Sequence, residues 1–164
     1  MKFPLACAIS ACLSFHPREM SETSPHNAAT APRSIRYSSP LFRLSDPRDV
    51  IRQLSFSNTG PGQVPGVIVM QIVSADCIAG GGGGSLGVVD PSFRRIVVVF
   101  NCSPLGQRVE APLSPAASGG VPLQLHPLIS SFEHDERTRA GCRVDSEGGL
   151  VVAARTTAVF VEPR

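Results

Sequence analysis

The amino-acid sequence points to an all-β protein, an antiparallel β-sandwich with one short N-terminal helix behind a disordered leader. Glycine and proline each occur 15 times in 164 residues, which interrupts the chain too often for a helical bundle. Two apolar runs of strand length, GVIVMQIV at 66–73 and RRIVVVFN at 94–101, are rich in β-branched residues, as strands covered on both faces should be. The stretches between the runs carry turn formers instead of amphipathic helical repeats. At 164 residues the chain is long enough for one domain with a modest core.

In chain order, residues 1–34 read as a leader. KFPLACAISACLSF, from Lys2 to Phe15, carries one positive charge and then a short apolar run, resembling a signal or organelle-targeting segment too short and interrupted to span a membrane. Residues 21–34 are rich in Ser, Thr, Ala and Pro and poor in acids. Plastid transit peptides have that texture, and so do disordered leaders. Residues 35–60 hold the helix: Asp46 caps it, Pro47 takes its first position, and Asp49 lies in its first turn. Val50, Ile51 and Leu54 are expected to form its apolar face. The turn formers NTGPGQVPG at 58–66 mark a boundary, which places the sandwich at 61–164.

Within the sandwich, VPLQLHP at 121–127 alternates, with Val121, Leu123 and Leu125 on a core face and Gln124 and His126 on a wetter one. GLVVAA at 149–154 and RTTAVFVE at 155–162 form a closing hairpin or one bent strand. Neither Ala153 nor Ala154 is a tight-turn residue, which favours a kink.

Charge excludes some partners. A formal net charge of +2 with 17% charged residues creates no field suited to nucleic acid or an anionic membrane. Five cysteines, Cys7, Cys12, Cys77, Cys102 and Cys142, are widely spaced without a CxxC pair and read as mostly reduced. The glycine run IAGGGGGSLG at 78–87 formally satisfies a dinucleotide fingerprint through Gly82, Gly84 and Gly87. However, Asp90-Pro91 turns the chain straight into RRIVVVF, so no helix N-terminus follows to hold a phosphate. No Lys-Ser or Lys-Thr pair completes a P-loop either, and the run reads as a strand-to-strand loop.

The side chains offer no catalytic constellation. His16 and His26 lie in the leader, and His134 in the charged run EHDER at Glu133–Arg137, which reads as a solvated loop. His126, beside Pro127 at a strand end, is expected to pack or hydrogen-bond. There is no GxSxG elbow, and Cys102 after Asn101 reads as a small core residue. We therefore assign no catalytic, cofactor-binding or metal-binding residue and expect no cofactor.

Six segments carry a resemblance when taken in order: IRYSSPLFRLSD (35–46), FSNTGPG (56–62), GVIVMQI (66–72), VVDPSFRRIVVVFN (88–101), LQLHP (123–127) and VAARTTAVFVEPR (152–164). Together they resemble the C-terminal part of plant and algal pullulanase-type debranching enzymes, or limit dextrinases, which are α-1,6-glucosidases of the α-amylase superfamily. The resemblance implies a non-catalytic β-sandwich supporting a (β/α)₈ barrel, with the 35–60 segment as the end of the barrel region. It implies a barrel partner in cis, only indirect contact with α-glucan, and a plastid location. No position matches the family's catalytic motifs, so none is carried over.

Two rival classes are poorly served. A stand-alone starch-binding module needs exposed aromatic rings for sugar stacking, and this chain has no Trp, a single tyrosine (Tyr37) and eight Phe, several of them inside apolar runs. A secreted interaction sandwich would require a working signal peptide and paired cysteines.

Overall fold

The computed structural model describes residues 30–78, 87–113, 121–131 and 136–164. Helix α1 (Thr30–Tyr37) begins inside the expected leader, and a 3₁₀ turn (Pro40–Arg43) follows it. Helix α2 (Pro47–Gln53) starts as expected. Asp46 caps it by accepting from the Arg48 N–H at 2.8 Å, with Pro47 in the first turn. Its buried side differs from the expected one, because Ile51 is 81% exposed while Gln53 is buried. The reason lies in the polar partners: the Gln53 side-chain N–H₂ donates to the carbonyls of Val73 and Val88 and its oxygen accepts from the Val88 N–H. Leu54 is not helical at all and begins strand β1 (Leu54–Ser57).

Strand β1 pairs antiparallel with β2 (Val67–Val73), Phe56 opposite Met70. The 58–66 run, expected to part the helix from the sandwich, is instead the connection inside this hairpin. Asn58, at φ 57°, organises it: its side chain donates to Val64 and Val67 carbonyls and accepts from the Val64 N–H.

Strand β3 (Phe93–Asn101) lies between β2 and β8 (Thr156–Pro163), and β5 (Gln124–Leu125) pairs with the far side of β8. This gives a five-stranded antiparallel sheet, β1-β2-β3-β8-β5. Strands β4 (Gln107–Val109), β7 (Leu150–Val152) and β6 (Arg143–Val144) form a second, three-stranded sheet in the order β4-β7-β6. Two short helices, α3 (Pro127–Ser130) and α4 (Glu136–Gly141), lie between β5 and β6.

The two continuous apolar runs are accounted for by burial on both faces. Val69, Val97, Val99, Ala158 and Phe160 pack against Val109, Leu150 and Val152 of the second sheet, the sandwich core. On the other face, Met70, Ile72, Ile96, Val98, Val159 and Val161 pack under Ile35, Leu41, Phe42 and Ile129 from α1, the 3₁₀ turn and α3. Val97, Val98 and Val99 are each fully inaccessible, which is why no polar residue interrupts this run; burying each one contributes about 1.5–3 kcal/mol. The sandwich therefore carries a helical layer that a period-2 reading does not reveal.

The β7–β8 connection is a turn at Ala154–Arg155, not the expected kink, hairpin or single bent strand. The two strands belong to different sheets, and Arg155 bridges them at φ 49° with its N–H donating to the Ser103 carbonyl.

Candidate functional site

The N-terminal strap meets the sheet at His126. The stretch 121–127 is shorter as a strand than its alternation suggests, and His126 is only 2% exposed, not on a wet face. Burial follows from its use as the cap of α3. Nδ1 accepts from the Leu128 N–H at 3.1 Å, which leaves Nε2 as the protonated nitrogen, 3.0 Å from Ser38 Oγ. Ser38 in turn donates to the Ile35 carbonyl at 2.7 Å, and the imidazole packs 5.6 Å from the Phe93 ring. One neutral tautomer thus joins α1, β3 and α3, and burial pushes the ring's pKa down to about 4.

A polar clasp closes the neighbouring end of the sheet. Asp90, with no exposed surface, accepts from the N–H groups of Ser92 and Phe93 and from the Ser39 hydroxyl. Ser39 also accepts from the Leu41 N–H at 3.0 Å, so one carboxylate ties the β3 entry to the 3₁₀ turn. Beside it, Arg164 Nε donates to the Asp90 carbonyl at 2.6 Å, and Nη2 donates to Ser74 Oγ and lies 2.8 Å from the Asp76 carboxylate. Burial pushes the Asp76 carboxyl up, but the Ser74 hydroxyl and Arg164 outweigh it, and its pKa falls below the ordinary value. Cys77 next to it is pushed up by burial and by the Asp76 charge, which keeps it a thiol.

Other acids are similarly committed. Glu162 lies opposite Arg95 across β8 and β3, with Arg95 Nε 2.6 Å from Glu162 Oε2. Arg95 Nη1 also donates to the Pro112 carbonyl at 2.6 Å. At the β6–β7 hairpin, Asp145 accepts from Arg108 and from the N–H groups of Glu147 and Gly149, and Arg108 reaches Glu147 as well. The Arg108 hydrogen bond holds the Asp145 carboxyl below its usual range.

A retaining glycosidase needs two positioned carboxylates facing one scissile bond in a cleft. Here Asp90, Asp145 and Glu162 are spent on turns and ion pairs. Two open surface depressions among the described residues are lined by Asp46, Arg48, Asp49, Ile51 and Arg52 in one case and by Arg108, Glu110, Ala111 and Glu147–Gly149 in the other. Neither contains an aromatic ring. Among the described residues no group of three His, Cys, Asp or Glu side chains could hold a metal ion, and no helix is long and apolar enough to cross a membrane.

Gly82 and Gly84 lie outside the described residues, as do His16, His26, His134, Cys7 and Cys12. Gly87 leads by way of Asp90 into β3, which runs antiparallel to β2, so the fingerprint's helix is replaced by a strand. Of the EHDER run, Glu136 and Arg137 are described; both are exposed and open α4. Cys102 is exposed, not a core residue, because it sits just past β3, where its N–H donates to the Gly66 carbonyl. Cys77 is a free thiol, and Cys142 is buried. Sequence reasoning missed the Ser39–Asp90 and Ser74–Asp76–Arg164 contacts. Asp90-Pro91 was legible as a turn, but no local signal names a carboxylate's partner 51 residues away.

These features define a class: an antiparallel β-sandwich domain with a helical strap on one face, whose polar groups hold its own architecture together. Residues 3–163 match the family model described as alpha-1,6-glucosidases, pullulanase-type, C-terminal. The chain belongs to that family and corresponds to the C-terminal domain of a pullulanase-type debranching enzyme. It is 40% identical over 130 residues to pullulanase 1, chloroplastic, of Arabidopsis thaliana, a match covering 79% of this chain and 12% of that protein. Its fold matches crystal structures of PulA from Klebsiella oxytoca (TM-score 0.67, 24% identity) and, ligand-free, from Klebsiella pneumoniae (TM-score 0.66, 28% identity). Each covers 84% of this chain and 12% of the other. The chain thus spans about 12% of the length of these relatives.

Proposed function

We propose that this domain is a non-catalytic scaffold that buttresses the catalytic barrel of a plastid α-1,6-glucosidase, touching α-glucan only through that barrel. One observation carries the reading: a chain matched almost end to end by the C-terminal family model commits its buried carboxylates to internal contacts and builds a central sheet covered on both faces. The single tyrosine, Tyr37, is 55% exposed with the Arg43 guanidinium 5.5 Å from its ring centroid, which sets a cation against one face of the ring that a sugar would need. The plastid location rests on the chloroplastic relative and on the texture of residues 21–34.

Two measurements test this. Calorimetric titration of the purified chain with β-cyclodextrin and amylose should release no binding heat, and the chain should not cleave α-1,6 linkages; saturable binding would instead make it a glucan-binding module. An antibody against the last residues should detect, in the source organism, a band far heavier than 164 residues account for. A band of that small size alone would overturn support of a barrel in cis.

A further inference from the structure

We propose that the corner of the five-stranded sheet formed by Phe56 and Ile68 is the surface on which the catalytic region of a pullulanase-type enzyme packs. The inference rests on the scaffold reading above and adds the face through which support is given. Directly paired residues of antiparallel strands point to the same side. Phe56 is opposite Met70, and Ile68 is opposite Phe100. Met70 and Phe100 belong to the core under the helical layer, at 3% and 6% exposure. Phe56 and Ile68 therefore continue that same apolar face, yet they are 52% and 51% exposed. Leu41 and Phe42 of the 3₁₀ turn cover the face beside Met70, and the covering layer stops short of these two side chains.

The occupant follows from where the rest of the enzyme lies. The family model is the C-terminal one, so the remainder of the long relatives precedes the matched region. In this fold the preceding chain arrives through α1 and the 3₁₀ turn, on the same side of the sheet as Phe56 and Ile68. The opposite side is already occupied by the three-stranded sheet. A neighbour entering along the strap meets this apolar corner first, and completing the layer there removes two large side chains from water.

The test is a chimera in which the matched stretch of the Arabidopsis chloroplastic pullulanase is replaced by residues 35–164 of this chain. The parent chimera should be soluble and cleave α-1,6 linkages; if it is neither, the scaffold reading itself fails. Given an active parent, the pair Phe56→Thr and Ile68→Thr should make the domain junction open to limited proteolysis about tenfold faster. Leu113→Thr is the control, at a 91% exposed position beside the Pro112 that Arg95 holds, away from this corner; it should leave the digestion rate unchanged. Thr keeps strand propensity, and the 164-residue chain carrying both changes should retain its melting temperature. Should it unfold, Phe56→Thr alone, on the edge strand, carries the test. Digestion of the double variant at the parent's rate overturns the proposal. So does a concentration-dependent dimer of the isolated chain that the double variant abolishes while the chimera stays indifferent, which would make the corner a contact between two copies.

Discussion

Lowering the pH should destabilise this domain through His126. The ring is 2% exposed, and burial pushes its pKa from 6.5 to about 4. Between those values the unfolded chain binds a proton at this position that the native chain refuses. Stability therefore rises with pH across that window: the penalty is absent above the unfolded value and complete below the folded one. For those two pKa values the loss between about pH 7 and about pH 5 is about 2 kcal/mol, growing to about 3 kcal/mol near pH 4. The structural cause is specific, since a proton added to Nδ1 would face the Leu128 N–H and break the α3 cap. Urea unfolding curves at the two pH values, for the parent and for His126→Asn, supply the assay. Asn keeps a cap acceptor but cannot titrate. It should cost about 1–3 kcal/mol at neutral pH from lost ring packing and show a pH 7-to-5 loss smaller than the parent's by about 2 kcal/mol. Parallel losses in the two proteins would refute the assignment of the pH dependence to this imidazole. Asp76 and Asp145, whose pKa values are lowered from 3.8, lose their contribution only as pH falls through and below that value, outside the window tested.

Three further outcomes are expected. Glu162→Ala strands the Arg95 guanidinium, whose side chain is 7% exposed, and should cost about 3–5 kcal/mol by chemical denaturation, whereas the paired change Arg95→Met with Glu162→Leu should cost much less. Gly87→Ala would place a Cβ 2.7 Å from the Ala75 Cβ and should lower stability by about 1–3 kcal/mol, with Ala75→Gly restoring a good part of it in a double-mutant cycle. Arg164→Ala removes the side-chain bonds to the Asp90 carbonyl and Ser74, should cost about 1–2 kcal/mol and should raise amide exchange at Ser92 and Phe93, whose N–H groups Asp90 holds; an unchanged melting curve would show that the clasp is ornamental to stability.

What could be read from residues alone was whatever depends on neighbours in sequence. The cap at Asp46-Pro47 and the two long β-branched runs appear where local chemistry puts them. So does the antiparallel return after the glycine run, because Asp90-Pro91 leaves no room for a helix. The resemblance in six ordered segments carried the family.

The remainder was decided by contacts between distant residues. Hydrophobic periodicity assigned Ile51 to an apolar face and His126 to a wetter one; the fold exposed the first and buried the second, because Gln53 satisfies carbonyls on β2 and before β3 while the His126 ring, in the hydrogen-bonding and packing role expected of it, seals α1 against α3. Alternation shows which faces of a strand are apolar but not what covers them, so the helical layer and the open Phe56–Ile68 corner emerge only when the strap lies on the sheet. Local pattern fixes which groups must leave water, and only tertiary packing determines which partner lets each of them do so.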